Sequence, residues 1–322
     1  KAFDPLTFQP RGTASLGLSS HNAARLQRWG RRGFAYRSQG GNLVVFETAL
    51  VPAQPNISDF NGDEISDLAV FRPSTGSWFS SDGMYDVRFG VSIDIPVAGD
   101  YDGDNKTDIA VYRNGHWYVF NSASQSVTVH QFGLSDDRPV PADYDGDHRA
   151  DPAVYRNGEW HILRSSDSGY GVVNFGLAGD RPIPADFSGT GRADYAVFRP
   201  ESGTWYILAN SGASYKVLQF GISSAIPAPA DYDGDGQADV AVWQNTFGTP
   251  MYYVLSSATG AISEVQLDGG TSSVPFPMDL DGDGNVDPNV MSANGMWTSM
   301  LSRSGFIVSN SFGVQGDRPI AP

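Results

Sequence analysis

The chain has 322 residues, 40% hydrophobic and 12% aromatic, enough to bury a sizeable core in one large or two ordinary domains. It has no cysteine, which excludes a disulfide framework, a thiol nucleophile and a thiolate metal site. Its net charge of -15 argues against nucleic acid and anionic membrane surfaces, and no apolar run is long enough to span a bilayer.

In chain order, "KAFDPLTFQPRG" lacks the apolar stretch of a signal peptide, so any export signal has been removed or never existed. Residues 1–22 read as an N-terminal extension ending near "SLGLSSHN", an acid-free loop from Ser15. "AARLQR" and "RRGFAYRSQGGNLVVFE" then read as the second, third and fourth strands of a unit that recurs downstream.

From Asp59 a nine-residue acidic motif begins and returns at Asp100, Asp143, Asp186, Asp231 and Asp279, in steps of 41, 43, 43, 45 and 48 residues. That period is the spacing of a repeat array such as propeller blades. Each unit follows one order: "RPVPADYDGD", "ADPAVYR", "EWHIL", "VVNFG". The short alternating runs, rich in Val, Ile, Tyr, Phe and Trp and parted by Gly, Asn, Ser or Pro, predict four strands per unit. Proline recurs just before the acidic loop, as at Pro139, Pro182, Pro227 and Pro275. It cannot donate to a central ladder, so the first strand is expected at a sheet edge, lining a channel.

"GDRPIAP", containing Asp317 to Pro322, matches "GDRPIPA" and reads as a first strand. The N-terminal unit lacks one. The expectation is an all-β, seven-bladed propeller over residues 23–322, its seventh blade closed by both chain ends, which leaves no open sheet edge.

Four like charges packed in "DYDGDHRAD" repel unless a cation neutralises them. Oxygens at positions one, three, five and nine, with a backbone carbonyl at seven, suit Ca²⁺, which takes six to eight oxygens in flexible geometry. Glycine at position four, as Gly146, lets the chain turn between ligands. The expected ligands are Asp59, Asn61, Asp63 and Asp67; Asp100, Asp102, Asp104 and Asp108; Asp143, Asp145, Asp147 and Asp151; Asp231, Asp233, Asp235 and Asp239; and Asp279, Asp281, Asp283 and Asp287. At Asp186, Ser188 and Thr190 replace two carboxylates, so that loop and the Ser15 loop are expected to be empty. Five Ca²⁺ ions take the net charge from -15 to -5.

Trp78, Trp117, Trp160, Trp205 and Trp297 open the third strand of their units, with Tyr252 and Phe34 as counterparts. They offer either stacking platforms for sugars or packing between blades, and their strict repetition favours packing. The repeated "DRP" at Asp137, Asp180 and Asp317 suggests ion pairs between blades or arginines around one mouth of the channel. The fifth unit carries longer connections, Gln244 to Tyr252 and Leu267 to Asp279. Phe247, Thr249, Pro250 and the segment Asp268 to Ser273 are the expected partner-binding loops, on the face away from the metal.

"FG" at the end of a unit followed by "DYDGDGQADVAV" resembles the FG-GAP and VCBS repeats of integrin α-subunit propellers and bacterial secreted proteins. The resemblance covers residues 23–322, and the fifth unit departs from it with "LDGG" for "FG". It implies Ca²⁺ in the loops and a secreted or cell-surface binding, adhesion or assembly-scaffold role with a protein or glycan partner. It leaves oligomeric state and ligand open. A carbohydrate-binding lectin, or a polysaccharide lyase or glycoside hydrolase on a propeller, stays open as an alternative.

Overall fold

Burial changes strand by strand within each unit, and this orders the strands in space. Runs such as Ile109–Arg113 and Tyr195–Arg199 are buried at every position but the last, the pattern of a strand covered on both faces. The next run alternates, as in His116–Asn121, with Trp117 and Val119 inward. The following run, Ser126–Gln131, is exposed throughout. Each sheet therefore runs from a covered interior to a solvated outer edge.

The computed structural model describes residues 58–212, 214–246, 249–270 and 272–320, and the backbone alone of five short strands nearer the N-terminus. Among the described residues there are six four-stranded antiparallel sheets. Blade one is Arg318–Pro319, Ala69–Arg72, Ser77–Ser80 and Asp86–Arg88, from inside outward. Blade two is Ile95–Pro96, Ile109–Arg113, His116–Asn121 and Ser126–Gln131. Blades three and four follow from Arg138–Pro139 and Arg181–Pro182, and blades five and six from Ile226–Pro227 and Val274–Pro275. Every inner strand is two residues ending in proline, so the missing N–H falls at the sheet edge, as expected.

The blade count corrects the sequence expectation: six, not seven. The C-terminal strand pairs with Ala69–Arg72, Arg318 opposite Phe71 and Pro319 opposite Val70. Ile320 N donates to Ala69 O at 3.0 Å, and the fully buried Ile320 side chain joins the core of Phe60, Phe71 and Trp78. The strands expected in a seventh blade form a separate antiparallel sheet, Gln27–Trp29, Gly33–Arg37 and Leu43–Glu47, three-stranded among the described residues. Ala2–Phe3 pairs with Pro10–Gly12. The Ser15 loop lies outside the described residues.

A circuit of backbone hydrogen bonds closes the ring on six. The carbonyl of each loop's first residue accepts from the eighth residue of the next loop: Asp59 from Thr107, Asp100 from Ala150, Asp143 from Ala193, Asp186 from Ala238 and Asp231 from Val286. Asp279 O then accepts from Ser66 N at 2.8 Å, back in the first loop.

The repeated tryptophans are packing residues. Trp78, Trp117, Trp160, Trp205 and Trp297 are at most 1% exposed. Each indole N–H donates to the carbonyl of the phenylalanine in its unit's "FG" or "FGV" ending, Trp117 to Phe132 at 2.9 Å and Trp160 to Phe175 at 2.8 Å. Burying an indole requires that its donor be satisfied. Gly133 follows because φ is +104° there and a Cβ would lie 2.7 Å from Tyr112 Oη. In blade five Tyr252 replaces the indole and donates instead to Asn289 O in blade six at 2.8 Å.

Candidate metal-binding loops

In blades two to six each acidic loop joins the inner strand to the second strand, and in blade one the Asp59 loop leads into the second strand while the C-terminus supplies the inner one; in every case the carboxylates first organise the loop itself. Asp143 accepts at Oδ1 from Gly146 N, 2.6 Å, and at Oδ2 from His148 N, 2.8 Å. Asp145 accepts from Asp147 N and Asp147 from Arg149 N. Asp151 spans the loop, taking Tyr144 N at 2.8 Å on Oδ2. These turns are the ones Asx side chains make with their own backbone. Gly146 sits at φ +83°, and Arg192 of the next loop crosses it so closely that a Cβ would meet Nε at 2.8 Å. Position four is therefore glycine for conformation and for clearance.

With the turns formed, oxygens of positions one, three and nine converge. Asp100, Asp102 and Asp108; Asp143, Asp145 and Asp151; Asp231, Asp233 and Asp239; and Asp279, Asp281 and Asp287 each bring one carboxylate oxygen within 4.8 Å of the others. Position five is not part of these trios. Asp104 accepts from Ser122 Oγ at 2.8 Å, Asp147 from Ser165 Oγ at 3.0 Å, and Asp235 from Ser257 Oγ at 3.0 Å. Asp283 likewise stands outside its trio. In the first loop Asn61 directs its amide N toward Asp67 Oδ1 at 3.3 Å, and its own Oδ1 accepts from Asp63 N.

The sequence reading missed the wall opposite each trio. It is the hairpin between the third and fourth strands. Ser122 N, Ser165 N, Ser257 N and Ser302 N each donate to the position-nine aspartate at 2.6 Å. Ala123 N and Ser166 Oγ reach the position-three carboxylate. A serine or asparagine closing the third strand in every complete unit, in "NS", "RS", "AN", "SS" and "LS", was the available signal.

Burial of these acids is costly without compensation. Asp108, Asp151 and Asp287 are fully buried, and burial pushes each carboxyl up to about 6 despite the backbone N–H groups that favour the charged form. Neighbouring carboxylates push the same way. Carboxylates alone, with hydroxyls behind and neither His nor Cys, make a hard oxygen donor set that fits a dication of the Ca²⁺ type. The loop at Asp186 lacks this trio. Ser188 Oγ donates to Asp194 Oδ1 at 2.9 Å, while Asp194 Oδ2 is buried with no hydrogen-bond partner.

On the opposite face four aspartates anchor the blades. Asp94, Asp137, Asp180 and Asp317 precede their inner strands and pair with Arg113, Arg156, Arg199 and Arg72 at the end of the second strand of the same blade. The pairs lie within blades, not between them. The arginines of "DRP" cross instead: Arg181 donates to Ala225 O at 3.1 Å and Arg318 to Asp94 O at 3.0 Å.

The residues expected to bind a partner lie in the connections of the fifth unit. The extra residues near Thr249 and Pro250 lengthen the hairpin itself: Val240–Thr246 pairs with Thr249–Leu255, with Asn245 opposite Pro250. Asp268 O accepts from Thr298 Oγ1 at 3.2 Å, and Ser273, 2% exposed, donates to Gly269 O. Phe247 lies outside the described residues.

The FG-GAP-like repeat family matches residues 186–242. No curated protein matches the sequence. Among solved structures, a lectin of Agrocybe aegerita described as recognising non-reducing terminal N-acetylglucosamine is similar at 16% identity and a TM-score of 0.51, covering 91% of this chain and 88% of its own. TolB from Acinetobacter baumannii is similar at 12% identity and 0.52, covering 92% and 81%. BBS1N, solved in complex with ARL6DN, is similar at 17% and 0.50, covering 81% of each. These likenesses concern the fold. The matched stretch contains one degenerate and one complete loop, and the same loop and strand order recurs around the ring, so the match and the fold together support a propeller built of FG-GAP-like repeats.

Proposed function

We propose that this propeller is a calcium-stabilised binding or assembly-scaffold module that works outside the cell. The observation that carries the reading is the set of four carboxylate trios, all in loops on one face, each formed within one nine-residue loop and backed by a hairpin of the same blade. Bound Ca²⁺ ties the loop between the first and second strands to the hairpin that closes the third. The backbone circuit then passes that constraint from blade to blade. The loop at Asp59, with Asn61 in place of an acid, completes a set of five sites with a lower charge at the fifth. An extracellular setting supplies millimolar Ca²⁺, within the range such modules use. The opposite face carries the short turns and ion pairs and is the surface we assign to a protein or glycan partner.

Differential scanning calorimetry in Ca²⁺ and in EDTA tests the reading. Chelation is expected to lower the melting temperature by about five degrees or more, because millimolar Ca²⁺ at about one to ten times the dissociation constant stabilises by about 0.4–1.4 kcal/mol at each of several sites. An unchanged melting temperature contradicts it.

A further inference from the structure

The seams between blades two and three and between blades three and four open into matching clefts. The larger, about 420 Å³, is bounded by Glu159, Asn174 and Phe175 of blade three and by Arg199, Tyr206 and Tyr215 of blade four. The smaller, about 260 Å³, has Phe132 of blade two facing Arg156, His161 and Tyr170 of blade three. The residues correspond position by position. Phe132 meets Tyr170 edge-on at 6.1 Å and Phe175 meets Tyr215 edge-on at 5.9 Å.

Neither tyrosine is there to fill a core. Tyr170 is 59% exposed and Tyr215 is 57% exposed. The corresponding fourth-strand position is Ile262 in blade five and Ile307 in blade six, so the blade does not need an aromatic ring there. Each tyrosine packs roughly perpendicular to a phenylalanine across the seam and keeps more than half of its surface exposed. In the smaller cleft His161 stacks on Tyr170 at 12° and shares a 2.7 Å hydrogen bond with its hydroxyl.

The charges select the kind of occupant. Arg199 spends Nε and Nη2 on Asp180 and Nη1 on Tyr206 Oη, and its guanidinium lies 4.3 Å over the Tyr206 ring. Two of its five N–H donors remain, but its charge is already paired with Asp180, which leaves little attraction for an anion. Glu159 at the rim, and a chain of net charge -15, repel one further. The Arg199 charge beside the ring disfavours a cation in turn. What remains is a neutral ligand with one apolar face for the ring and hydroxyls for Glu159 and Asn174. A sugar ring has that chemistry.

We propose that these two seams are neutral-carbohydrate subsites, with Tyr215 and Tyr170 as the stacking platforms. The inference rests on reading the chain as a binding module and names its ligand class. Two equivalent subsites on one rigid ring let a branched or repeating glycan engage both, so avidity multiplies weak single contacts.

The test is an array of neutral and acidic glycans probed with the full chain in Ca²⁺, followed by saturation-transfer NMR on the neutral sugars that bind. Tyr215→Ala is expected to weaken binding about tenfold, and Tyr170→Ala with Tyr215→Ala to abolish it on the array, with the melting temperature unchanged because both rings are more than half exposed. Binding of acidic or cationic glycans alone, no glycan binding at all, or neutral binding unchanged in the double variant overturns the proposal. Those outcomes leave the calorimetric test of the calcium reading untouched, so failure of one is distinguishable from failure of the other.

Discussion

Deleting Asp317 to Pro322 removes the inner strand of blade one, and the structure gives the size of the effect. Ile320 is fully buried among Phe60, Phe71 and Trp78, and emptying such a site costs about 2–5 kcal/mol. The Arg72 pair goes with it. Because the Arg72 side chain is 27% exposed, the arginine regains water and that loss is nearer about 1 kcal/mol. The ladder to Ala69–Arg72 and the bond from Ser58 Oγ to Ile320 O, 3.2 Å, are also lost. The total is about 5 kcal/mol, a large part of the stability of an ordinary domain. At about 2.1 cal/mol/K of unfolding entropy per residue, that is a fall of about 7 °C in melting temperature for a chain of this size. The exposed edge of Ala69–Arg72 then invites pairing between chains. Calorimetry and light scattering after size exclusion measure both effects. A synthetic peptide of the deleted sequence should restore the melting temperature in trans. A truncated chain that stays monomeric and melts like the full one would refute closure through blade one.

Three further outcomes follow from the same geometry. Burial is the largest influence on the Asp137 carboxylate, whose side chain is 1% exposed, and Arg156→Ala removes the guanidinium that, with the Leu134 N–H, holds it below the usual carboxylate range all the same. It should cost about 3 kcal/mol by chemical denaturation, whereas Arg164→Ala, breaking an exposed pair, should change nothing measurable. In the absence of metal, Asp108, Asp151 and Asp287 carry folded-state values near 6 against 3.8 unfolded. The folded chain then binds more protons, so metal-free stability should fall as pH rises from about 4 to about 7. Calorimetry of the metal-free chain at pH 5 and 7.5 checks the sign, and a higher melting temperature at 7.5 would reverse it. Asp145→Ala should lower the number of Ca²⁺ ions bound by one, while Ser188→Ala should leave it unchanged.

Much of this was legible in residue spacing. An aspartate at position nine is readable because the loop cannot turn without it: its oxygen takes the N–H of position two. The blade count was harder. "GDRPI" is a first strand that fits any unit, and two units lacked one. The discriminating signal is a correlation. Aspartate before the inner strand and arginine at the end of the second strand occur together in blades one to four. Both are absent in blades five and six, where Ala225 and Ser273 stand for the acid and Gln244 for one arginine. Arg72 therefore calls for Asp317. Arg28 obscured this by offering a competing arginine at the other chain end. The exclusion of position five from the trios depends on serines about 18 residues downstream, a contact between turns that no local motif displays. Similarly, the insertion before Tyr252 has the composition of a loop, yet it extends a ladder because its two arms can pair.

The central claim is that these acids exist to hold metal. Isothermal titration of Ca²⁺ into the chelator-stripped chain tests it most directly. The account predicts four equivalents bound by the trios at Asp100, Asp143, Asp231 and Asp279, and a weaker fifth at Asp59. Silent injections, or a stoichiometry of one or two, would contradict it.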